Sequence, residues 1–213
     1  MIGSADICEF FRTYLGELER RQDELDRLDA VAGDGDHGAT MVMGMREVVA
    51  TLDDVGRSPA EVLRTAAEAF GSVGGAIGPL WGTALVRAAR AAGMSETLDA
   101  ATTATLLTAA VQGLRDRGHS EPGDKTLVDV MGPGATAFAE EVADGLDGTA
   151  ALRSALASAE SGLAGTVGVA ARRGRARRVA ERSVGSPDPG GASALLAWEV
   201  AARLGGVTRG PAD

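Results

Sequence analysis

The segment Leu28-Asp29-Ala30-Val31-Ala32-Gly33-Asp34-Gly35-Asp36-His37-Gly38 ends one helix-length apolar pattern and starts another. Upstream, Ile7, Phe11, Tyr14, Leu15 and Leu18 recur at helical spacing with charged residues between them, and Ser4 is the candidate N-cap. Downstream a second candidate helix begins near Gly38. Gly35 lets the chain turn tightly between the two. The segment therefore reads as a corner between two helices that carries three carboxylates. Asp34 and Asp36 flank Gly35, and Asp29 lies about one turn back on the preceding helix.

The same arrangement repeats along the chain. Ser58-Pro59-Ala60-Glu61 has a capping-box pattern with proline at the first helical position, and it opens an Ala-rich helix running towards Gly74-Gly75. Leu107, Val111 and Leu114 mark an amphipathic segment from about Asp99 to Gly118, and further helices are predicted to begin near Pro79, Thr126, Thr149 and Pro189. The glycines cluster at corners (Gly33 to Gly38, Gly71 to Gly82, Gly118 to Gly123, Gly185 to Gly191), and the segments between lack the β-branched runs of a parallel sheet. A Rossmann fold is thereby set aside. The expectation is an all-α fold of eight helices, an antiparallel up-and-down bundle or barrel with the glycine corners at one rim. Residues 1–213 form a single domain in this reading, with a disordered tail from about 206 to 213.

Composition agrees. The chain has 213 residues, 45% hydrophobic but only 3% aromatic, so its core must come from Ala, Leu and Val, which suits close-packed helices. A net charge of −9 disfavours nucleic acid, whose binders carry excess Lys and Arg. No stretch approaches eighteen uninterrupted apolar residues, and the N-terminus has no secretory pattern, so a cytoplasmic chain without a membrane span is expected. Cys8 alone cannot form an internal disulfide and reads as an apolar helix position.

The acidic corner offers hard oxygen donors with no nearby Cys and only His37 beside it, which suits Mg²⁺ or Ca²⁺ over zinc. An EF-hand starting at Asp34 fails, because its glycine falls at the fifth place, Gly38, and its twelfth place is Met45. The plain alternative is a carboxylate-rich capping turn, but three like charges this close repel and a cation resolves the repulsion. Gly74-Gly75-Ala76-Ile77-Gly78-Pro79 leads into a helix whose first N–H groups form an anion site; an ordinary helix–helix turn is the alternative. In Gly123-Asp124-Lys125-Thr126, Asp124 is expected to cap a helix and Lys125, the only lysine, to be solvated. Arg172, Arg173, Arg175, Arg177, Arg178 and Arg182 read as a solvated face or docking surface, with one or two placed to meet phosphate. His119 reads as a surface-loop residue. No Ser-His-Asp or Cys-His arrangement is present, so a metal corner, phosphate-compatible turns and no nucleophile point to phosphoryl transfer.

These corners resemble the dihydroxyacetone kinase L subunit family (DhaL). The resemblance rests on residues 28–38, then Gly74 to Thr83, then Glu121-Pro122-Gly123-Asp124-Lys125-Thr126. It continues through Gly174-Arg175-Ala176, Glu181-Arg182-Ser183-Val184-Gly185 and Asp188-Pro189-Gly190. It implies an eight-helix barrel that binds ADP or ATP at one rim through two Mg²⁺ ions held by Asp29, Asp34 and Asp36. His37, Gly38, Ala39, Thr40, Ala76 and Ile77 would contact the nucleotide. Gly118 and Leu127 would form the base pocket, and Arg175, Asp188, Pro189 and Gly190 would close over it.

The implied activity is transfer of a γ-phosphoryl group to dihydroxyacetone held by a separate K subunit, in the phosphoenolpyruvate-linked version with a phosphohistidine M subunit recharging bound ADP. A homodimer is compatible with this. Alternatives are an ATP-dependent kinase subunit for a related ketose or a fatty acid, and a nucleotide-sensing adaptor without catalytic duty. Ile77 stands where the family often has Ser, Thr40 where it often has Asn, Ser186 where His is common, and Arg177-Arg178-Val179-Ala180 replaces a more apolar stretch.

Overall fold

In a computed structural model, residues 1–53 and 55–208 are described. Eight α-helices and one 3-10 helix account for the regular structure among these residues. They are α1 (Ser4–Ala30), α2 (His37–Thr51), α3 (Pro59–Gly71), α4 (Ile77–Ala92), α5 (Ala100–Gly118), α6 (Val128–Ala143), α7 (Gly148–Thr166), the 3-10 helix Arg175–Ser183 and α8 (Pro189–Leu204). The all-α expectation holds, and each consecutive pair of α-helices packs together while α8 packs on α1, which closes the ring. An isolated antiparallel bridge joins Ile2 to Leu98, tying the start of α1 to the approach to α5.

Local signals set most boundaries. Ser58 and Glu61 form the expected capping box, with Ser58 Oγ accepting from Glu61 N and the Glu61 carboxylate accepting from Ser58 N. Asp99, Asp147 and Asp188 cap α5, α7 and α8 with the side chain alone, accepting from Thr102 N, Ala150 N and Gly191 N. At α1 the cap is Gly3 rather than Ser4: the Asp6 carboxylate accepts the Gly3 N–H at 2.7 Å, so the acid in the first turn does what a cap hydroxyl would do. Helix α4 starts two residues before Pro79, because proline anywhere in the first turn removes an N–H that has no helical partner.

The core is small-residue packing around a few large side chains. Leu18, Leu25, Met41, Val48, Phe70 and Leu114 are fully buried, with Ala151, Ala155 and Ala159 along one face of α7. Of the tail expected to be disordered from about 206, residues 206–208 are described: Val207 packs on the core and donates its N–H to Ala202 O. Residues 209–213 lie outside the described residues.

Antiparallel order puts four connections at one end: α1–α2, α3–α4, α5–α6 and α7–α8. Close approaches show the direction of three neighbouring pairs. The end of α1 meets the start of α2 at Gln22 and Gly38, the end of α3 meets the start of α4 at Gly71 and Gly82, and the end of α7 meets the start of α6 at Gly162 and Asp129. The corners thus share one rim.

Candidate functional site

The acidic corner is built by the end of α1 and the turn that follows. One carboxylate oxygen from each of Asp29, Asp34 and Asp36 lies within 4.8 Å of the others. Asp29, half-buried, also organises the turn: its Oδ2 accepts from Gly35 N at 2.8 Å and from Asp36 N at 3.3 Å. Gly35 takes φ +76°, where a side chain is strained. Asp34 and Asp36 are exposed, and both pair with Arg175, the Asp36 contact at 3.0 Å. The set suits a divalent cation: three hard oxygen donors carry three negative charges, and the guanidinium neutralises one of them. Exposed pairs of this kind are worth about 0–1 kcal/mol, so Arg175 would oppose a divalent ion at this corner only weakly.

His37 opens α2, but its ring faces inward. Nε2 lies 2.9 Å from Ser193 Oγ, and Ser193 Oγ lies 2.9 Å from Gly190 O. The hydroxyl's single proton goes to the carbonyl, so Nε2 carries the imidazole proton and Nδ1 is the acceptor. Burial holds the His37 pKa below its ordinary value, against the opposing pull of Asp29 and Asp26, which keeps the ring neutral. Tyr14 OH donates to Ser193 O, so α1, α2 and α8 meet at this serine. The Ala39 N–H is committed to Asp26 Oδ1 at 3.1 Å, and a side chain on Gly38 would lie 2.3 Å from Gln22 O. The α2 start is therefore pressed onto α1 with no room for a larger residue.

At the start of α8, Asp188 caps the helix through Gly191 N at 2.6 Å. Burial pushes its carboxyl up to about 7, while the Gly191 N–H works the other way. An acid with a raised native pKa binds its proton more tightly folded than unfolded. Its contribution to stability is full below about pH 4 and is lost as pH rises through about 7. Through this group we expect the unfolding free energy to fall between pH 5 and 7 by at most about 1.4 kcal/mol per pH unit, with neutral His37 opposing it. In Asp188→Asn that slope should vanish; thermal melts across the range check it.

Leu127 packs beside Gly190, and Asp29, Asp188 and Pro189 line one cleft with Ala176 of the 3-10 helix. Asp29, Asp34, Asp36, His37, Leu127, Arg175 and residues 188–190 thus form one contiguous group. Ala76, Ile77 and Gly118 form a second: Gly118, closing α5, lies against Leu80 in the first turn of α4. The Ile77 side chain packs on the core, and no side chain caps α4, so its first N–H groups are what this corner presents. Thr40 N is engaged in the helix with Asp36 O.

Lys125 is the clearest departure from expectation. It is 4% exposed, not solvated, because its ammonium is surrounded by main-chain oxygens. Asp124 does not cap α6 either: it accepts from Glu121 N and from Arg173 Nε, and those contacts hold its pKa low. Asp26 and Ser193 are the site residues that sequence reasoning passed over. Only Asp26 left a signal there, one turn before Asp29 on the same helix face.

The DAK2 domain family matches residues 31–203. The ADP-binding subunit DhaL of the PEP-dependent dihydroxyacetone kinase of Escherichia coli (strain K12) is 34% identical, covering 89% of this chain and 92% of the relative. A D-erythrulose kinase of Mycolicibacterium smegmatis is 35% identical over 91% of this chain, which spans only 34% of that enzyme. Among solved structures, the dihydroxyacetone kinase of C. freundii in complex with AMP-PNP and Mg²⁺ superposes with a TM-score of 0.72 at 21% identity, over 93% of this chain and 34% of that one. By helical architecture, rim motifs and sequence, the chain belongs to the DAK2 domain family as a DhaL-type protein.

Proposed function

We propose that the chain is the nucleotide-binding subunit of a cytoplasmic dihydroxyacetone kinase. It holds ADP or ATP at the rim with two Mg²⁺ ions and acts only with a separate K subunit that carries the ketose. A phosphohistidine M subunit, fed from phosphoenolpyruvate, recharges the bound ADP. The observation that carries this reading is the convergence of three carboxylate oxygens within 4.8 Å beside a mobile-length arginine at the rim. The 34% identity to an ADP-binding subunit of a PEP-dependent dihydroxyacetone kinase supports the subunit role.

Asp29, Asp34 and Asp36 would hold the metal, which when bound supplies charge neutralisation on the phosphate oxygens. Arg175, once released from Asp34 and Asp36, would offer its guanidinium to the phosphate oxygens. The first-turn amides of α4 take phosphate oxygens by backbone alone, since Ile77 has no hydroxyl to add. Gly118 and Leu127 wall the base, and neutral His37 braces the α2 start so that Gly38 and Thr40 approach the nucleotide. The acceptor's proton leaves to a group on the partner.

A second reading concerns the acceptor. Two Mycolicibacterium smegmatis relatives are a D-erythrulose kinase and an L-erythrulose 1-kinase, at 35% and 38% identity, so a four-carbon ketose is the alternative substrate. Calorimetry of the purified chain with ADP should show binding in Mg²⁺ and none in EDTA. Phosphate transfer with K-type partners loaded with dihydroxyacetone or erythrulose then identifies the acceptor. Absence of ADP binding in Mg²⁺ would falsify the reading.

A further inference from the structure

Lys125 Nζ lies 2.7 Å from Thr166 O, 3.0 Å from Val169 O, 2.6 Å from Ser183 O and 2.6 Å from Ser186 O. Thr166 ends α7 and Ser183 ends the 3-10 helix, and besides the ammonium each of these carbonyls accepts a turn N–H, Thr166 O from Val169 N at 3.3 Å and Ser183 O from Ser186 N at 3.4 Å. An ammonium has three N–H donors for four oxygens, and one proton is shared. A neutral amine would turn a lone pair onto a carbonyl, so the cage demands the charged form although burial pulls the Lys125 pKa down. The residue also sits at φ +62°, an unfavourable backbone state for a side-chain-bearing residue. A strained backbone and a desolvated charge persist only where the surroundings over-determine them.

The surroundings are the connection between α7 and α8. The cage clamps both of its ends, Thr166–Val169 and Ser183–Ser186. The neighbouring Asp124 holds its middle, with Asp124 O accepting from Arg172 N and Oδ2 from Arg173 Nε. Arg175 follows two residues later and crosses to Asp34 and Asp36.

We propose that Lys125 is a positioning residue: an internal monovalent cation that ties the ends of the segment 166–186 together and thereby fixes Arg175 over the acidic corner. The part of this that concerns nucleotide rests on the function proposed above; the tether itself does not.

Three measurements test it on the full chain. Trypsin cuts after arginine, so cleavage within 172–182 reports the segment directly. Lys125→Ala should be cut at least about tenfold faster than wild type, and ammonium or potassium, which fit the vacated cage, should restore protection where lithium does not. Unchanged cleavage, or faster cleavage indifferent to these cations, overturns the tether. Calorimetry with Mg²⁺ and ADP should show about tenfold weaker binding in Lys125→Ala and no further loss when that change is added to Arg175→Met. Additive losses would show that Lys125 does not act through Arg175. If Lys125→Ala does not fold even with ammonium, wild type decides: as the only lysine, Lys125 should react with an amine acylating reagent at least about 100-fold more slowly than the N-terminal amine, and equal reactivity overturns the cage. A wild-type chain that binds no ADP sinks the proposed function while leaving the trypsin result to judge the tether.

Discussion

Asp34→Ala should weaken Mg²⁺-dependent ADP binding by at least about 100-fold while leaving the fold intact, because this residue serves the corner without building it. Loss of outer-shell partners of a metal ligand already costs about 10- to 100-fold, and a ligand itself costs more. Asp34 stands half exposed on the turn and pairs with Arg175, an exposed pair worth about 0–1 kcal/mol. The melting temperature should therefore move by no more than about 2–4 °C. Asp29 would be a poor choice for the same test, since its carboxylate also takes the Gly35 and Asp36 N–H groups and its loss unravels the turn. Arg175 gives the complementary sign. In Arg175→Met the corner loses its resident cation, so Mg²⁺ alone should bind more tightly and ADP with Mg²⁺ more weakly. Calorimetry of the two variants with Mg²⁺, then with ADP, separates them; an Asp34→Ala chain that binds ADP as wild type does would remove the corner from the site.

How far the sequence carries is decided by distance along the chain. Asp29, Asp34 and Asp36 span eight residues that include two glycines, so a local reading finds them and the chemistry they share. Helix positions are equally local, since caps and 3.6-residue periodicity lie within one or two turns. The Lys125 cage is built from carbonyls 41 to 61 residues away, and nothing near Gly123-Asp124-Lys125-Thr126 announces them. The His37–Ser193 pair is 156 residues apart and equally silent. The 3-10 helix Arg175–Ser183 reads only as charge, because its inward face of Ala176, Ala180 and Ser183 is too short and too weakly apolar to stand out among four arginines. Its conformation comes from clamps on its flanks rather than from its own residues. Glycine misled in a different way. Gly78 and Gly82 read as corner residues but lie inside α4, where Gly82 lets α3 approach through Gly71.

The largest stability effect rests on a glycine of that second kind. Pro133 lies inside α6 and has no N–H, so Asp129 O four residues earlier lacks its helical partner. That carbonyl faces α7 at Gly162, where an added Cβ would sit 2.1 Å from the oxygen. The obstacle is backbone and cannot swing aside. It is also anchored, because the Asp129 carboxylate accepts from Gly123 N and Thr126 N and so fixes the loop that carries Lys125. Helix propensity favours alanine over glycine by about 1 kcal/mol, whereas forcing a methyl into a packed contact costs about 1–3 kcal/mol. With main chain as the obstacle the clash wins, and Gly162→Ala should lower stability by about 2 kcal/mol and the melting temperature by about 4–8 °C. Gly165, one turn on in the same helix, meets nothing within 4 Å, so Gly165→Ala should be neutral or stabilising by up to about 1 kcal/mol. Opposite signs from one substitution three residues apart would separate packing from propensity. Pro133→Ala returns an N–H to Asp129 O and draws the carbonyl back towards its own helix. The cost of Gly162→Ala should then shrink in that background, and a double-mutant cycle by denaturant unfolding reads the coupling. Strict additivity would mean that the freed carbonyl is not what keeps position 162 a glycine.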